Sequence, residues 1–419
     1  MSGDNILGTH DDGSTGAPGP VVDGAATGLP LESRAGTGTA RTGTVFTGTA
    51  FADTAEPLLR VSGLTVALPR AGGDITLVDG VDLEVRPGEV LGVAGESGSG
   101  KTVTGMTLVG LGPDRASVTG SVRFDGRELV GLPDREWARV RGRDIAVVFQ
   151  DPSSALHPML TVGRQITDHV RRHQGISRKQ AAARAVELLD LVRIPGGASA
   201  AARYPHQFSG GMRQRIAIAS ALACGPRLLI ADEPTTALDV TVQAGIVELL
   251  DELRRETGMA VVMVTHDLGV LSSVADRIAV FYSGRVIETG TVGEVIGAPQ
   301  HPYTRGLLQA LPHASLGERS AVGHAVPLRP IPGSAPAAGA LGPGCPFRPR
   351  CSSAVDGCDR ERPVPVRVGP ARTVACLLAE PGTARPADAP PGPGTVHRAD
   401  VPSNPGTVLP AGAPVRRKA

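Results

Sequence analysis

The residue types best suited to chemistry lie in one run, Gly95 to Thr102, which fits the pattern G-x-x-x-x-G-K-[ST] at every fixed position. Glycines let the backbone curl so that successive N–H groups face phosphate oxygens. Lys101 would reach the β- and γ-phosphates, and the Thr102 hydroxyl would ligate Mg²⁺. We therefore predict a nucleotide-phosphate site formed by Gly95, Glu96, Ser97, Gly98, Ser99, Gly100, Lys101 and Thr102.

The flanks of this run supply the elements that must position it. An apolar run, Val90 to Ala94, precedes it, and a helix-compatible stretch from Val103 to Val109 follows. Strand, glycine loop and helix is the context that supports a phosphate-binding motif, because the helix aims its positive dipole end at the anion. The alternative, a glycine-rich turn with an exposed lysine, does not account for these flanks.

Two carboxylates follow a second apolar strand, Leu228 to Ala231. Asp232, at the carboxyl end of a strand beside the P-loop strand, is placed to hold Mg²⁺ directly or through water. Glu233 could orient and polarise a water that attacks the γ-phosphate. The alternative for this pair is a strand that ends in a solvated acidic turn.

A further candidate precedes the helix-compatible run from Ile216 to Ala223. Here Ser209, Gly210, Gly211 and Met212 combine a small hydroxyl with two glycines, which would form a second anion cradle at a helix N-terminus. An ordinary N-cap followed by a flexible turn explains the same residues. Taken alone, the segment does not decide between these interpretations.

Composition excludes several classes of protein. The chain has 419 residues, 41% of them hydrophobic. Its net charge is +1, so it lacks the strong excess of positive charge that is typical of proteins that bind nucleic acid. No apolar run approaches the roughly 18–20 residues of a membrane span, and the first twenty residues lack the pattern of a secretory signal. We therefore expect a cytosolic chain that reaches a membrane through a partner.

Alternating apolar and helical segments predict an α/β fold with a mainly parallel core and a helical insertion. We expect disordered segments at residues 1–56 and 380–419, which are rich in small residues and in proline. A nucleotide-binding domain would occupy residues 57–298, with a helical subdomain at about 151–225. Residues 299–379 would form a Pro- and Cys-rich extension.

The order of these motifs resembles that of the ATP-binding subunits of ABC transporters, over about residues 58–335. Ser209 to Met212 resembles the family signature, and Gln150, directly after a strand, matches the Q-loop. Asp239, in Thr-Ala-Leu-Asp, matches the D-loop, and His266 matches the switch histidine. The resemblance implies a P-loop ABC-type ATPase core with an antiparallel β subdomain, a helical subdomain and a small C-terminal extension.

The resemblance also implies a mechanism that uses ATP and Mg²⁺. Two such domains would meet head to tail, so that Ser209 and Gly211 contact the γ-phosphate of the partner's ATP. Glu233 would orient the attacking water and His266 would stabilise charge on the γ-phosphate. Thr102, Gln150 and Asp232 would hold Mg²⁺.

One position departs from the family pattern. Many members stack adenine on an aromatic residue in an early strand, and this chain has Leu68 where that residue would lie. Base recognition would then be purely apolar or weaker, while phosphate binding would be unaffected.

Other segments resemble the oligopeptide/dipeptide importer subfamily. They are the Q-loop region Phe149 to Pro158, Met212 in the signature, and the His-Pro-Tyr-Thr-Arg run from His301 to Arg305. The resemblance implies a second, different ATPase subunit, two integral membrane permease subunits and an extracytoplasmic solute-binding protein. The chain would lie at the cytoplasmic face of the cell membrane. Relatives in this group carry peptides, nickel chelates or other small solutes, so the solute stays open.

Four of the five cysteines cluster near the C-terminus, at Cys345, Cys351, Cys358 and Cys376. In a cytosolic protein such a cluster favours metal over disulfides, although the spacing lacks the close C-x₂-C pairs of common zinc sites. A [4Fe–4S] cluster, zinc and no metal are all open on this pattern. Resemblance to subfamily members suggests the iron–sulfur cluster.

Two other functions fit this sequence less well than a transport ATPase does. A soluble ABC-type ATPase of DNA repair or translation usually carries tandem nucleotide domains or long coiled coils, and this chain has one P-loop and no sustained heptad run. A nucleotide-binding regulator that does not hydrolyse ATP would not need Glu233 and His266.

Overall fold

A computed structural model describes residues 56–236, 238–311, 329–339 and 341–379. The segments predicted to be disordered at 1–56 and 380–419 lie outside these residues, apart from Glu56. No helix in the described part of the chain is long and apolar enough to cross a membrane.

The strands of the described residues are β1 Leu59–Leu68, β2 Ile75–Val85, β3 Val90–Ala94, β4 Ser117–Phe124, β5 Arg127–Glu128, β6 Ile145–Val148, β7 Leu228–Asp232, β8 Ala260–Val264, β9 Arg277–Tyr282, β10 Arg285–Thr291, β11 Val366–Gly369 and β12 Arg372–Val374. The α-helices are α1 Lys101–Thr107, α2 Asp134–Val140, α3 Pro152–Ala155, α4 Val162–Gln174, α5 Arg178–Leu191, α6 Gly197–Ala201, α7 Gly210–Ala221, α8 Val240–Thr257, α9 Leu268–Val274, α10 Val292–Gly297 and α11 Pro302–Gln309.

The main sheet places the P-loop strand at its centre. Its order is β11-β12-β10-β9-β3-β8-β7-β6, and the five strands from β9 to β6 run parallel. All five residues of β3 are buried, and they alternate between two cores: Val90 and Ala94 face one, while Leu91 and Val93 face the other. A strand covered on both faces is a continuous apolar run, as this one is. The α/β fold is confirmed.

A second, smaller sheet is antiparallel, in the order β2-β1-β4-β5. It confirms the antiparallel β subdomain that the family resemblance implied. The sequence indicates two short strands, Leu59 to Val61 and Leu64 to Leu68, which in the structure form one strand. The pairing register shifts between Val61 and Leu64, where Gly63 has a positive φ of 58°. A bulge of this kind keeps one strand continuous across a break in the apolar pattern.

Helices α3 to α7 lie between β6 and β7 along the chain. The apolar faces of α4, α5, α6 and α7 meet in one core that includes Ile166, Leu188 and Ile216, all fully buried. Helix α5 begins at Ser177 with a capping box that Gln180 completes, which fixes where the helix starts.

The C-terminal extension is built into the main sheet, which the sequence did not indicate. Strand β12 pairs antiparallel with β10, and the Thr289 and Thr373 hydroxyls lie 2.7 Å apart across that pair. Buried Arg372 also donates a hydrogen bond to the carboxylate of Glu288, which is fully buried. Strands as short as β11 and β12 carry too little periodic signal to be recognised without their sheet.

Candidate functional site

The P-loop runs from the end of β3 to the start of α1, and its shape depends on glycine. Gly95, Gly98 and Gly100 have positive φ values of 148°, 77° and 98°. A Cβ atom on Gly95 would lie 2.3 Å from the carbonyl oxygen of Phe281, and one on Gly100 would lie 3.0 Å from that of Leu77. The backbone at Gly95 therefore lies too close to its neighbour for any side chain, and at Gly100 the space is tight and the φ value unfavourable for one.

Lys101 is the first residue of α1 and is almost fully buried. Its ammonium group donates hydrogen bonds to the carbonyl oxygens of Gly95 at 2.7 Å and Glu96 at 2.8 Å. Burial lowers the pKa of Lys101, although the charges of Glu233, Asp232 and Glu96 oppose that shift. The loop thus folds around a cation at the point where the sequence places phosphate.

Thr102 and Asp232 meet at the start of the same helix. The Thr102 hydroxyl donates a 3.1 Å hydrogen bond to Asp232 Oδ1. Burial raises the pKa of Asp232; the hydrogen bond from Thr102 opposes this rise, and the Glu233 charge adds to it. A hydroxyl and a carboxylate are oxygen ligands of the kind that Mg²⁺ takes, so this pair fits the predicted magnesium site.

Glu233 follows β7 in a backbone conformation that is rare for a residue with a side chain, with a positive φ of 44°. Its carboxylate accepts hydrogen bonds from the Thr236 hydroxyl at 2.7 Å and the Gln150 amide at 3.1 Å. His266 Nδ1 lies 3.4 Å from the second carboxylate oxygen. Strain of this kind concentrates at functional sites, where the surrounding structure maintains it.

The neighbours of Glu233 lower the pKa of its carboxyl group. Burial by itself would raise the pKa of Glu233, but the hydrogen bonds from Thr236 and His266, with the nearby positive charges of His266 and Lys101, lower it overall. The group is therefore ionised at neutral pH and can accept a hydrogen bond from water.

One open cleft brings most of the predicted residues together. The complete P-loop lines it, and so do Gln150, Glu233 and His266. Four apolar residues that were not predicted as site residues also line it: Leu77 from β2, Val103 from α1, Leu307 from α11 and Ala338. Leu68, considered as the adenine contact, is not among the lining residues. Leu307 could have been suspected only from its place just after the His-Pro-Tyr run.

The signature and D-loop residues lie away from this cleft. Ser209 is the N-cap of α7, where its hydroxyl accepts a hydrogen bond from the Met212 amide at 3.4 Å. Asp239 is the N-cap of α8 and accepts from the Val242 amide at 2.9 Å. A Cβ on Gly211 would lie 2.6 Å from the Val242 side chain, so the signature segment packs tightly on α8. Ser209 and Gly210 are solvent-exposed.

The [4Fe–4S] cluster that the family resemblance suggests has four candidate ligands, all in the C-terminal extension. Cys345, Cys351, Cys358 and Cys376 are free thiols, and the described residues hold no group of three or more His, Cys, Asp or Glu arranged around a metal position. Burial raises the pKa of Cys345, Cys351 and Cys376, and the thiols near one another add to that rise. The four residues are neighbours, but their thiols do not converge on one point.

Comparisons with known proteins agree with this geometry. A family model described as ABC transporter matches residues 78–236, and one described as the C-terminal region of oligopeptide/dipeptide transporters matches residues 287–358. The dimeric, post-hydrolysis structure of the ATP-binding cassette MJ0796 bound to ADP and Pi is 31% identical. It covers 56% of this chain and 98% of its own, with a TM-score of 0.51.

Similar proteins of known name include two bacterial subunits. The oligopeptide transport ATP-binding protein OppD of Salmonella typhimurium is 44% identical over 77% of this chain and 94% of its own length. The dipeptide transport ATP-binding protein DppD of Bacillus subtilis is 45% identical over 78% of this chain and 96% of its own. OppD of Mycobacterium tuberculosis is 47% identical, but the chain spans only 53% of its length. This chain belongs to the oligopeptide and dipeptide transport ATP-binding proteins of the ABC transporter family.

Proposed function

We propose that this chain binds ATP with Mg²⁺ and hydrolyses it to drive the import of peptides through an ABC transporter. One observation carries this proposal: the P-loop, Gln150, Glu233 and His266 line a single cleft, although up to 171 residues separate them in the sequence. A strained and ionised carboxylate beside a glycine loop suits phosphate hydrolysis better than phosphate binding alone.

Each residue has a distinct part in this proposal. Backbone amides of the P-loop and the Lys101 ammonium group hold the phosphates, so Lys101 exchanges its carbonyl partners for phosphate oxygens. Thr102, Asp232 and Gln150 would hold Mg²⁺, which when bound neutralises phosphate charge. Glu233 accepts a hydrogen bond from the attacking water, and His266 stabilises the charge that develops on the γ-phosphate.

The other half of the site would come from a second ATPase subunit. The cleft of this chain is not lined by the signature or D-loop residues Ser209, Gly210, Gly211, Met212 and Asp239. Ser209 and Gly210, at the start of the signature, are solvent-exposed. This exposure supports a head-to-tail pair in which each signature closes over the partner's ATP. We expect a heterodimer, since importers that this chain resembles pair two different ATPases.

The further partners are two integral membrane permease subunits and an extracytoplasmic solute-binding protein, which places this chain at the cytoplasmic face of the membrane as a peripheral subunit. The names of the similar proteins favour peptides over nickel chelates as the solute. In this proposal residues 57–298 form the ATPase domain, with a helical subdomain at about 151–225, and residues 299–379 form the extension.

For the cysteine cluster we propose a [4Fe–4S] centre, with Cys345, Cys351, Cys358 and Cys376 as its ligands. Its support is a set of four neighbouring free thiols and a backbone hydrogen bond of 2.8 Å from Cys345 to the Cys358 carbonyl. Absorbance near about 400 nm in anaerobically purified protein would support the cluster. A colourless preparation without iron would contradict it.

The hydrolytic role of Glu233 is tested by Glu233→Gln. The amide keeps the shape of the side chain but cannot act as a carboxylate, so turnover should fall about 100-fold or more while MgATP affinity stays within about threefold. Phosphate release and calorimetric binding measure the two quantities. Turnover at the wild-type rate would refute the role of Glu233, and a wild-type chain that does not bind ATP would refute the function itself.

A further inference from the structure

The C-terminal extension contacts the P-loop through an ion pair that the mechanism above does not use. Arg350 lies in the short 3₁₀ turn Arg348–Arg350, and its guanidinium donates hydrogen bonds of 2.7 and 2.9 Å to the two carboxylate oxygens of Glu96. Glu96 is the second residue of the P-loop, 254 positions earlier. Two parallel hydrogen bonds to a carboxylate are the geometry in which arginine binds most specifically.

The backbone of Glu96 is held by the extension as well. Its amide N–H donates a 2.8 Å hydrogen bond to the hydroxyl of Tyr303, which is fully buried in α11. The same P-loop residue is therefore fixed at both side chain and backbone, and both partners follow residue 299.

Arg350 is itself fixed before any nucleotide arrives. Its side chain is only 6% exposed, and its Nε donates a 2.8 Å hydrogen bond to the carbonyl of Pro332. The rings of Tyr282 and Phe347 lie 5.9 and 6.0 Å from the guanidinium carbon. Because the planar guanidinium is already held on several sides, Arg350 loses little further conformational entropy when it orients Glu96.

The ion pair also sets the charge beside the phosphate site. Glu96 lines the cleft, and its negative charge acts on Lys101. Without Arg350, the carboxylate of Glu96 would lack its bidentate partner. Its negative charge would then repel the negatively charged phosphate that enters the cleft. Leu307 and Ala338, also from the extension, line the same cleft.

We infer that Arg350 is a positioning residue of the nucleotide site, which holds the P-loop in its phosphate-binding shape through Glu96 and offsets the charge of that carboxylate. This inference rests on the proposed ATPase function. It makes the C-terminal extension a part of the nucleotide site.

The test measures MgATP binding to the complete chain by calorimetry, and ATP hydrolysis by the assembled ATPase pair through phosphate release. Arg350→Ala should weaken MgATP binding about tenfold or more and raise KM similarly, while kcat at saturating ATP changes less than about threefold. Arg350→Lys, which keeps the charge but not the paired hydrogen bonds, should fall between wild type and Arg350→Ala. The double variant Arg350→Ala/Glu96→Gln should bind MgATP more tightly than Arg350→Ala alone, because the uncompensated charge is removed.

Arg362→Ala is the matched control. Arg362 also joins the extension to the core, through a 2.9 Å bond to Asp79 in β2, but it does not line the nucleotide cleft. It should keep wild-type MgATP affinity even if the midpoint of thermal unfolding falls. A purely structural role for Arg350 would lower that midpoint in both variants and leave affinity unchanged.

Two results would overturn the inference: Arg350→Ala with wild-type MgATP affinity, or no recovery when Glu96→Gln is added. Either would leave the proposed function intact, provided that wild type still binds ATP and Glu233→Gln still stops turnover. A wild-type chain without ATP binding would instead refute the proposed function.

Discussion

Glu233 and Glu96 are carboxylates of the same cleft, yet their partners suit them to different tasks. Glu233 accepts hydrogen bonds from neutral donors, lies beside His266 and lines the cleft as an ionised carboxylate. Glu96 is paired with Arg350 and has its amide bound to Tyr303. The first arrangement keeps the carboxylate of Glu233 available to water. The second fixes Glu96 to the C-terminal extension.

His301 gives a prediction about pH at the scale of one residue. It caps α11, where its Nδ1 accepts a 3.0 Å hydrogen bond from the Tyr303 amide, and burial lowers the pKa of His301 to about 3. An unfolded histidine titrates near about 6.5, so the unfolded chain binds a proton below that pH while the folded chain does not. Stability from the neutral ring is present above about pH 6.5 and is lost as the pH falls toward 3.

We therefore expect wild type to lose about 2 kcal/mol more unfolding free energy between pH 7 and pH 5 than His301→Asn does. Asparagine keeps an acceptor for the helix cap but does not titrate. Urea unfolding at the two pH values measures the difference. Equal losses in both proteins would show that His301 is not buried in its neutral form.

At the scale of elements, the extension is attached through the edge of the main sheet. Arg372 in β12 is 6% exposed and pairs with Glu288 in β10, which is fully buried. Glu288 also accepts hydrogen bonds from the amides of Gln300 and His301, so one carboxylate joins β10, β12 and the start of α11.

Arg372→Ala should lower the free energy of unfolding by about 3–5 kcal/mol, because it leaves a buried charge without its partner. Arg367→Ala, on the neighbouring strand β11, is the control; that residue is exposed, and its loss should cost less than about 0.5 kcal/mol. Denaturant titration measures both. Equal small effects would mean that Glu288 is satisfied without Arg372.

For the whole molecule, the central prediction is that the chain holds only half of a hydrolytic site. Ser209→Arg should leave MgATP binding by the isolated chain within about threefold of wild type, yet reduce hydrolysis by the assembled ATPase pair about tenfold or more. Ser177→Arg removes a comparable helix cap from α5 without touching the signature, and should lower neither quantity.

The comparison requires both measurements on each variant. If Ser209→Arg weakened ATP binding in the isolated chain as much as it slowed the pair, the signature would act within its own subunit. If Ser177→Arg slowed the pair equally, the effect would come from the helical subdomain as a whole.

The sequence by itself determined the structural features that depend on residues close together along the chain. The conformation of the P-loop follows from glycines at fixed positions between a strand and a helix, so the pattern predicted both the loop and the helix after it, which begins at Lys101. Apolar runs predicted the buried strands β3 and β7 for the same reason. The order of motifs then identified the family.

Only the tertiary structure decided which distant residues meet. Glu233 contacts Gln150 across 83 positions and Glu96 contacts Arg350 across 254, because sheet order and the packing of the extension bring these segments together. Family resemblance anticipated the first contact as a shared site. Nothing local to Arg350 indicates the second, since its motif reads as part of a cysteine cluster. Side-chain contacts over such sequence distances depend on how the sheet and the extension pack together, and they leave no periodic pattern in the sequence.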